Sequence, residues 1–186
     1  MGFDPGIAKS AVGVVERSGN QLRLLHRALI ATKAPDSGQP DNSRKKIIWT
    51  AIAAPILKFH PVVIGIENQA AVSAAARVWA NKPKKTGTKG ALGYSANNDG
   101  VLEVVGMAQG CAFAYGVRYK MLLAQSIKRA VLGKGGGSGD KKQMIAAIKA
   151  IFPELNEPGV KLSEHEADAI AMAILALRVD LIGEAA

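Results

Sequence analysis

Gly2-Phe3-Asp4-Pro5-Gly6 near the start of the chain and His165-Glu166-Ala167-Asp168-Ala169 near its end decide how this sequence folds. The first reads as a short strand that ends on Asp4. A Pro-Gly turn follows, with proline fixing φ and glycine accepting positive φ. The second heads a nearly all-apolar helix, Ala169-Ile170-Ala171-Met172-Ala173-Ile174-Leu175. Between them, Glu67 ends the apolar run Val62-Val63-Ile64-Gly65-Ile66. An acid at the edge of an apolar element is costly to bury unless a cation compensates it. His165 and Asp168 stand at i and i+3, on one helix face. Acids on three separate elements therefore point to one shared divalent-metal site.

Working outward, residues 11–15 and 21–31 read as strands separated by the turn-like Ser18-Gly19-Asn20. Residues 33–42 read as a loop. A helix starts near Asp41 or Ser43, carries Ile47, Ile48, Ala51 and Ile52 on one face, and should kink or end at Pro55. Residues 62–66 fit a buried strand, and 70–81 a helix. Residues 82–98, with four lysines and three glycines, read as an exposed basic loop. Helix 100–115 is rich in small residues, 117–122 is a strand and 125–132 a short helix. A glycine-rich connection, 133–139, leads to a helix with the capping box Asp140…Gln143. The final helix has a second box, Ser163…Glu166, and runs to about Ile182, which gives Glu166 a structural role. Strands first, then alternating strands and helices, indicate an α/β domain with a mixed sheet.

At 186 residues the chain suits one domain, 1–186, with a core that needs no disulfide or metal staple. A formal charge of +9 predicts attraction to a polyanion, or simple solubility. Cys111 is the only cysteine and lies among small and apolar neighbours, so a packed thiol in a reducing compartment is expected. No signal peptide or spanning apolar run is visible. The expectation is a soluble cytoplasmic protein, nucleoid-associated when bound to DNA, with no membrane partner.

Oxygen ligands with one imidazole suit Mg²⁺ or Mn²⁺ better than a structural zinc site. Two such ions, roughly 3.5–4 Å apart, would activate water for phosphodiester hydrolysis. The motifs around Asp4, Glu67 and His165/Asp168 resemble those of RuvC-type Holliday-junction resolvases. So does Ile127-Lys128-Arg129-Ala130-Val131-Leu132-Gly133 followed by Asp140-Lys141-Lys142-Gln143. The resemblance covers nearly the whole chain. It implies a ribonuclease H-like fold, with a mixed five-stranded sheet flanked by helices. It also implies that Asp4, Glu67, His165 and Asp168 are the catalytic residues and bind two Mg²⁺ ions, with Mn²⁺ able to substitute. The family cuts two symmetric strands of a four-way junction as a homodimer, leaving 5′-phosphate and 3′-hydroxyl ends. Glu67 is followed by Asn68-Gln69-Ala70 rather than the aromatic that many bacterial members use against junction bases. Trp79 or Tyr94 are substitutes, although Trp79 also suits the core or a dimer interface.

The DNA-binding candidates form two groups: Lys82, Lys84, Lys85 and Lys89 in the basic loop, and Lys128, Arg129, Lys134, Lys141 and Lys142 around the glycine-rich turn. Solvated loops are the competing explanation. The glycine run matches no phosphate-binding P-loop. Gly106 and Gly110 suit a close-packed dimer interface, or packing on the helix's own sheet. The other readings are a ribonuclease H-like nuclease on other branched or RNA-containing substrates, and a non-catalytic junction binder.

Overall fold

The computed structural model describes residues 1–33, 42–68, 97–133 and 140–184. The expected helix 70–81, the loop 82–96, most of the loop 33–42 and the connection 134–139 lie outside them. Five strands form one sheet: β1 (Gly2–Asp4), β2 (Lys9–Ser18), β3 (Gln21–Ala31), β4 (Val63–Glu67) and β5 (Arg118–Leu122). Their order is β3-β2-β1-β4-β5. The first three are antiparallel neighbours, while β1/β4 and β4/β5 run parallel. The described helices are α1 (Asn42–Phe59), α2 (Asn97–Ala114), α3 (Ala124–Leu132), α4 (Lys141–Ile151) and α5 (Glu164–Glu184). The predicted mixed α/β sheet is the one observed.

Strand alternation divides the core in two. Phe3, Val12, Val14, Ile64 and Ile66 pack with Ile48, Ile52 and Ile56 of α1 and Val104, Ala108 and Cys111 of α2. On the other face Val15, Val63 and Leu122 meet Ile127, Met144, Ile148 and the apolar run of α5. Cys111 is fully buried, and burial pushes its thiol up to about 11, so it is the packed thiol expected.

A row of glycines sets how closely α5 approaches the sheet. Gly13, Gly2 and Gly65 are direct cross-strand partners on β2, β1 and β4. A Cβ on Gly2 would stand 2.0 Å from Ala169 O, and one on Gly65 would stand 2.8 Å from Met172 O. A Cβ on Gly13 would meet Ile170 N at 2.8 Å. Only glycine permits this contact, and Ala169, Ala173 and Ala176 complete it from the helix side.

Helix α1 runs through Pro55, the expected site of a kink or an end, and continues one more turn to Phe59. Burial of Ile52, Pro55 and Ile56 against the core outweighs the lost N–H bond. The helix stops instead at His60, left-handed at φ 46, whose N–H donates to Ile56 O at 3.0 Å. Pro61 follows. The buried face is Ile48, Ile52 and Ile56, while Ile47 is exposed. Asn97 and Asn98, expected in the basic loop, already belong to α2.

Candidate active site

Period-two alternation that aims Gly2 and Gly65 at α5 also aims Asp4 and Glu67 there, each two residues on at the end of its strand. The helix enters over these strand ends. Its first turn is built by the predicted capping box: Glu166 N donates to Ser163 Oγ at 3.2 Å, and Ser163 N donates to Glu166 Oε2 at 3.0 Å. Ser163 Oγ also donates to Glu166 Oε2, at 2.7 Å. Glu166 is thereby structural, as expected. The turn after Asp4 is locked by buried Ser10, whose hydroxyl donates to Gly6 O at 2.5 Å and accepts from Gly6 N at 3.2 Å.

The four predicted residues meet at this end of the sheet. Asp4 is 8% exposed, and its Oδ2 lies 2.7 Å from His165 Nδ1. Glu67 and Asp168 line one cleft of about 70 Å³ with Lys128, Ile127, Ala124 and Met172. Burial, then the charges of Asp4 and Asp168, raise Glu67 to about 7, against the pull of Lys128. Burial, then Asp4, raises Asp168 to about 6, with His165 opposing. The hydrogen bond to Asp4 raises His165 above its ordinary value. Burial first and like charge second thus disfavour ionisation of Glu67 and Asp168. As placed, no three His, Cys, Asp or Glu side chains among the described residues are gathered tightly enough to hold an ion. Asp4 is turned onto His165, while Glu67 and Asp168 flank the adjacent cleft. The donor set nonetheless fits divalent cations: carboxylate oxygens and one imidazole, partly buried, whose mutual repulsion a cation would relieve.

The basic candidates separate. Lys128 borders the acids, and Lys141 reaches the cluster through Glu164, Nζ to Oε2 2.7 Å. Arg129 and Lys142 are exposed. Lys82, Lys84, Lys85, Lys89 and Lys134 lie outside the described residues, as do Trp79 and Tyr94. Lys9, not anticipated, stands at the start of β2 and acts electrostatically on Glu164. Its only sequence signal was its position just after the Asp4 turn. A cavity of about 770 Å³ opens at the opposite end of the strands around Met1, Phe59, His60 and Arg118, away from the acids. No helix among the described residues is long and apolar enough to cross a membrane.

Sheet order and helix placement define a ribonuclease H-like fold, with Asp4 and Glu67 at the strand ends. Residues 1–176 match the family model described as crossover junction endodeoxyribonuclease RuvC, and the chain belongs to that family of DNA-cleaving hydrolases. Relatives bearing that name include one from Bradyrhizobium diazoefficiens, 26% identical over 98% of this chain and 93% of its own. Another, from Granulibacter bethesdensis, is 29% identical over 94% of this chain and 82% of its own. Among solved structures, Thermus thermophilus RuvC superposes with a TM-score of 0.66 at 23% identity, covering 98% of this chain and 95% of that one. The same protein in complex with a Holliday junction substrate gives 0.67 at 23% identity, covering 98% and 94%. These structures establish the shared fold.

Proposed function

We propose that this chain is a metal-dependent endonuclease that resolves four-way DNA junctions by symmetric phosphodiester hydrolysis, with Asp4, Glu67, His165 and Asp168 as its metal ligands. The carrying observation is their placement at one end of the sheet, with His165 Nδ1 2.7 Å from Asp4 Oδ2 and with Glu67 and Asp168 lining one cleft. They would hold two Mg²⁺ ions, or Mn²⁺ in their place, which activate a water and stabilise the leaving oxygen. Asp4 and Glu67 are fixed by their strands, and His165 and Asp168 by the capped first turn of α5. Lys128 offers a cation to the scissile phosphate beside the cleft. Lys141 can exchange Glu164 for a backbone phosphate, and Lys9 borders the same rim. The basic segment 82–98 and residues Arg129, Lys134 and Lys142 extend the DNA contact. Residues 1–186 act as one domain, a reading that the family match over residues 1–176 supports.

Two symmetric nicks require two centres, and we assign homodimerisation to α2. Leu102, Gly106 and Phe113 share one helical face, and Phe113 is 87% exposed. A Cβ on Gly106 would meet nothing within 4 Å among the described residues, whereas Gly110 faces Trp49 of α1 at 3.7 Å. Gly106 therefore suits the partner and Gly110 the chain's own packing. Sedimentation should give a dimer at micromolar concentration, and a Phe113→Glu monomer.

The decisive assay is cleavage of labelled four-way junction, duplex, flap and RNA–DNA hybrid with Mg²⁺ or Mn²⁺. Paired nicks confined to the junction support the proposal. Equal cutting of linear hybrids would indicate a broader ribonuclease H-like nuclease, and tight binding without cleavage a junction-binding protein.

A further inference from the structure

The row of cross-strand partners that lets α5 down onto the sheet does not stop at glycine. Gly65, Gly2 and Gly13 are followed on the edge strand β3 by Arg27, the register partner of Gly13. Where the glycines make room, Arg27 rises beside the helix. Its guanidinium donates to Glu166 Oε1, and Nη1 also donates to Lys161 O at 3.0 Å. One side chain thus ties down both the loop entering α5 and the helix's first turn.

The capping box alone does not require this. Ser163 N and Oγ already occupy Glu166 Oε2, so Arg27 takes the other oxygen of a side chain that is only 9% exposed. Glu166 stands between His165 and Asp168 in sequence, on a helix that advances 100° and 1.5 Å per residue. Rotation or sliding of this turn would displace both flanking ligands together, and with them the His165–Asp4 contact of 2.7 Å.

We infer that Arg27 and Glu166 form a latch that positions His165 and Asp168 against Asp4, so that Arg27, remote from the cleft, is a positioning residue for the metal centre. What the centre does rests on the function proposed above; the latch itself is a statement about its geometry. Arg118 supplies a matched control. It pairs with buried Asp180 at 2.8 Å near the other end of the same helix, far from the acids.

The experiment compares wild type, Arg27→Ala, Arg27→Lys and Arg118→Ala by thermal stability, Mn²⁺ affinity from electron paramagnetic resonance, junction affinity in Ca²⁺, and single-turnover cleavage. Both alanine variants should lose stability. Arg27→Ala alone should weaken Mn²⁺ binding and slow cleavage, each by about tenfold or more, with junction affinity within about twofold of wild type. Arg27→Lys, which keeps the charge but not the paired donation, should fall between. If Arg27→Ala loses stability only, matching Arg118→Ala in Mn²⁺ affinity and rate, the latch is refuted. Should Arg27→Ala fail to fold, Arg27→Lys decides: wild-type Mn²⁺ affinity and rate would refute the latch. Absence of junction cleavage by wild type would overturn the proposed function, while the Mn²⁺ arm would still report on the latch.

Discussion

Replacing Glu67 with Gln should stabilise the metal-free protein at alkaline pH while disabling it. Burial and the neighbouring Asp4 and Asp168 hold the carboxyl at about 7, against 4.5 ordinarily. A group raised in the folded state contributes stability that is full below its unfolded value and is lost as pH rises through the folded one. For Glu67 that window runs from about 4.5 to about 7. The shift corresponds to about 3 kcal/mol, which solvent screening of a half-buried group reduces to about 2 kcal/mol. Glutamine removes the charge and keeps the shape. In chelator at pH 8, Tm should rise by about 4–8 °C, since each kcal/mol moves a chain of this size by about 2–4 °C. At pH 4.5 the two proteins should melt within about 2 °C of each other. Added Mg²⁺ should stabilise wild type more than the variant, because an ion that binds only the folded state shifts stability by mass action. Calorimetry across pH reads all of this. A Glu67→Gln protein that melts lower than wild type at pH 8, or by the same margin at both pH values, would refute the picture of uncompensated acids.

Other perturbations separate binding from chemistry. Asp4→Asn and Asp168→Asn should each slow junction cleavage by at least about a hundredfold while changing junction affinity in Ca²⁺ by less than about threefold; wild-type cutting by Asp168→Asn would remove it from the site. Lys128→Ala should weaken junction binding and lower the slope of log K against log salt by about 0.9 if it neutralises one phosphate, measurable by fluorescence anisotropy. Gly2→Ala places a methyl 2.0 Å from Ala169 O, so helix and sheet must part, at a cost of about 3 kcal/mol or more seen by urea unfolding. Mn²⁺ affinity should fall as pH drops through about 7 and about 6, where Glu67 and Asp168 take up protons that compete with the ion; an affinity flat between pH 8 and 5.5 would contradict this.

The acids were legible because each sits at the end of an element with a strong local signature. Asp4 precedes Pro-Gly, Glu67 closes an apolar run, and His165 and Asp168 follow a capping serine. The capping boxes at Asp140 and Ser163 were readable for the same reason, since both partners lie within one turn. What escaped depends on pairing across the chain. Nothing local distinguishes Gly2, Gly13 and Gly65 from other glycines until strand register lines them up beneath α5. Arg27 reads as one more solvated arginine until register brings it to Glu166 across 139 positions of sequence. Lys141 was read as a DNA contact without its partner Glu164. Pro55 does not stop α1 because local propensity is outweighed where Ile52 and Ile56 are buried in one core.

Crystals of the protein grown with Mn²⁺ put the whole scheme to its most direct trial. Anomalous scattering should show two manganese peaks bounded by Asp4, Glu67, His165 and Asp168, with His165 released from Asp4. Full-occupancy manganese elsewhere on the molecule, with these four side chains unengaged, would contradict it.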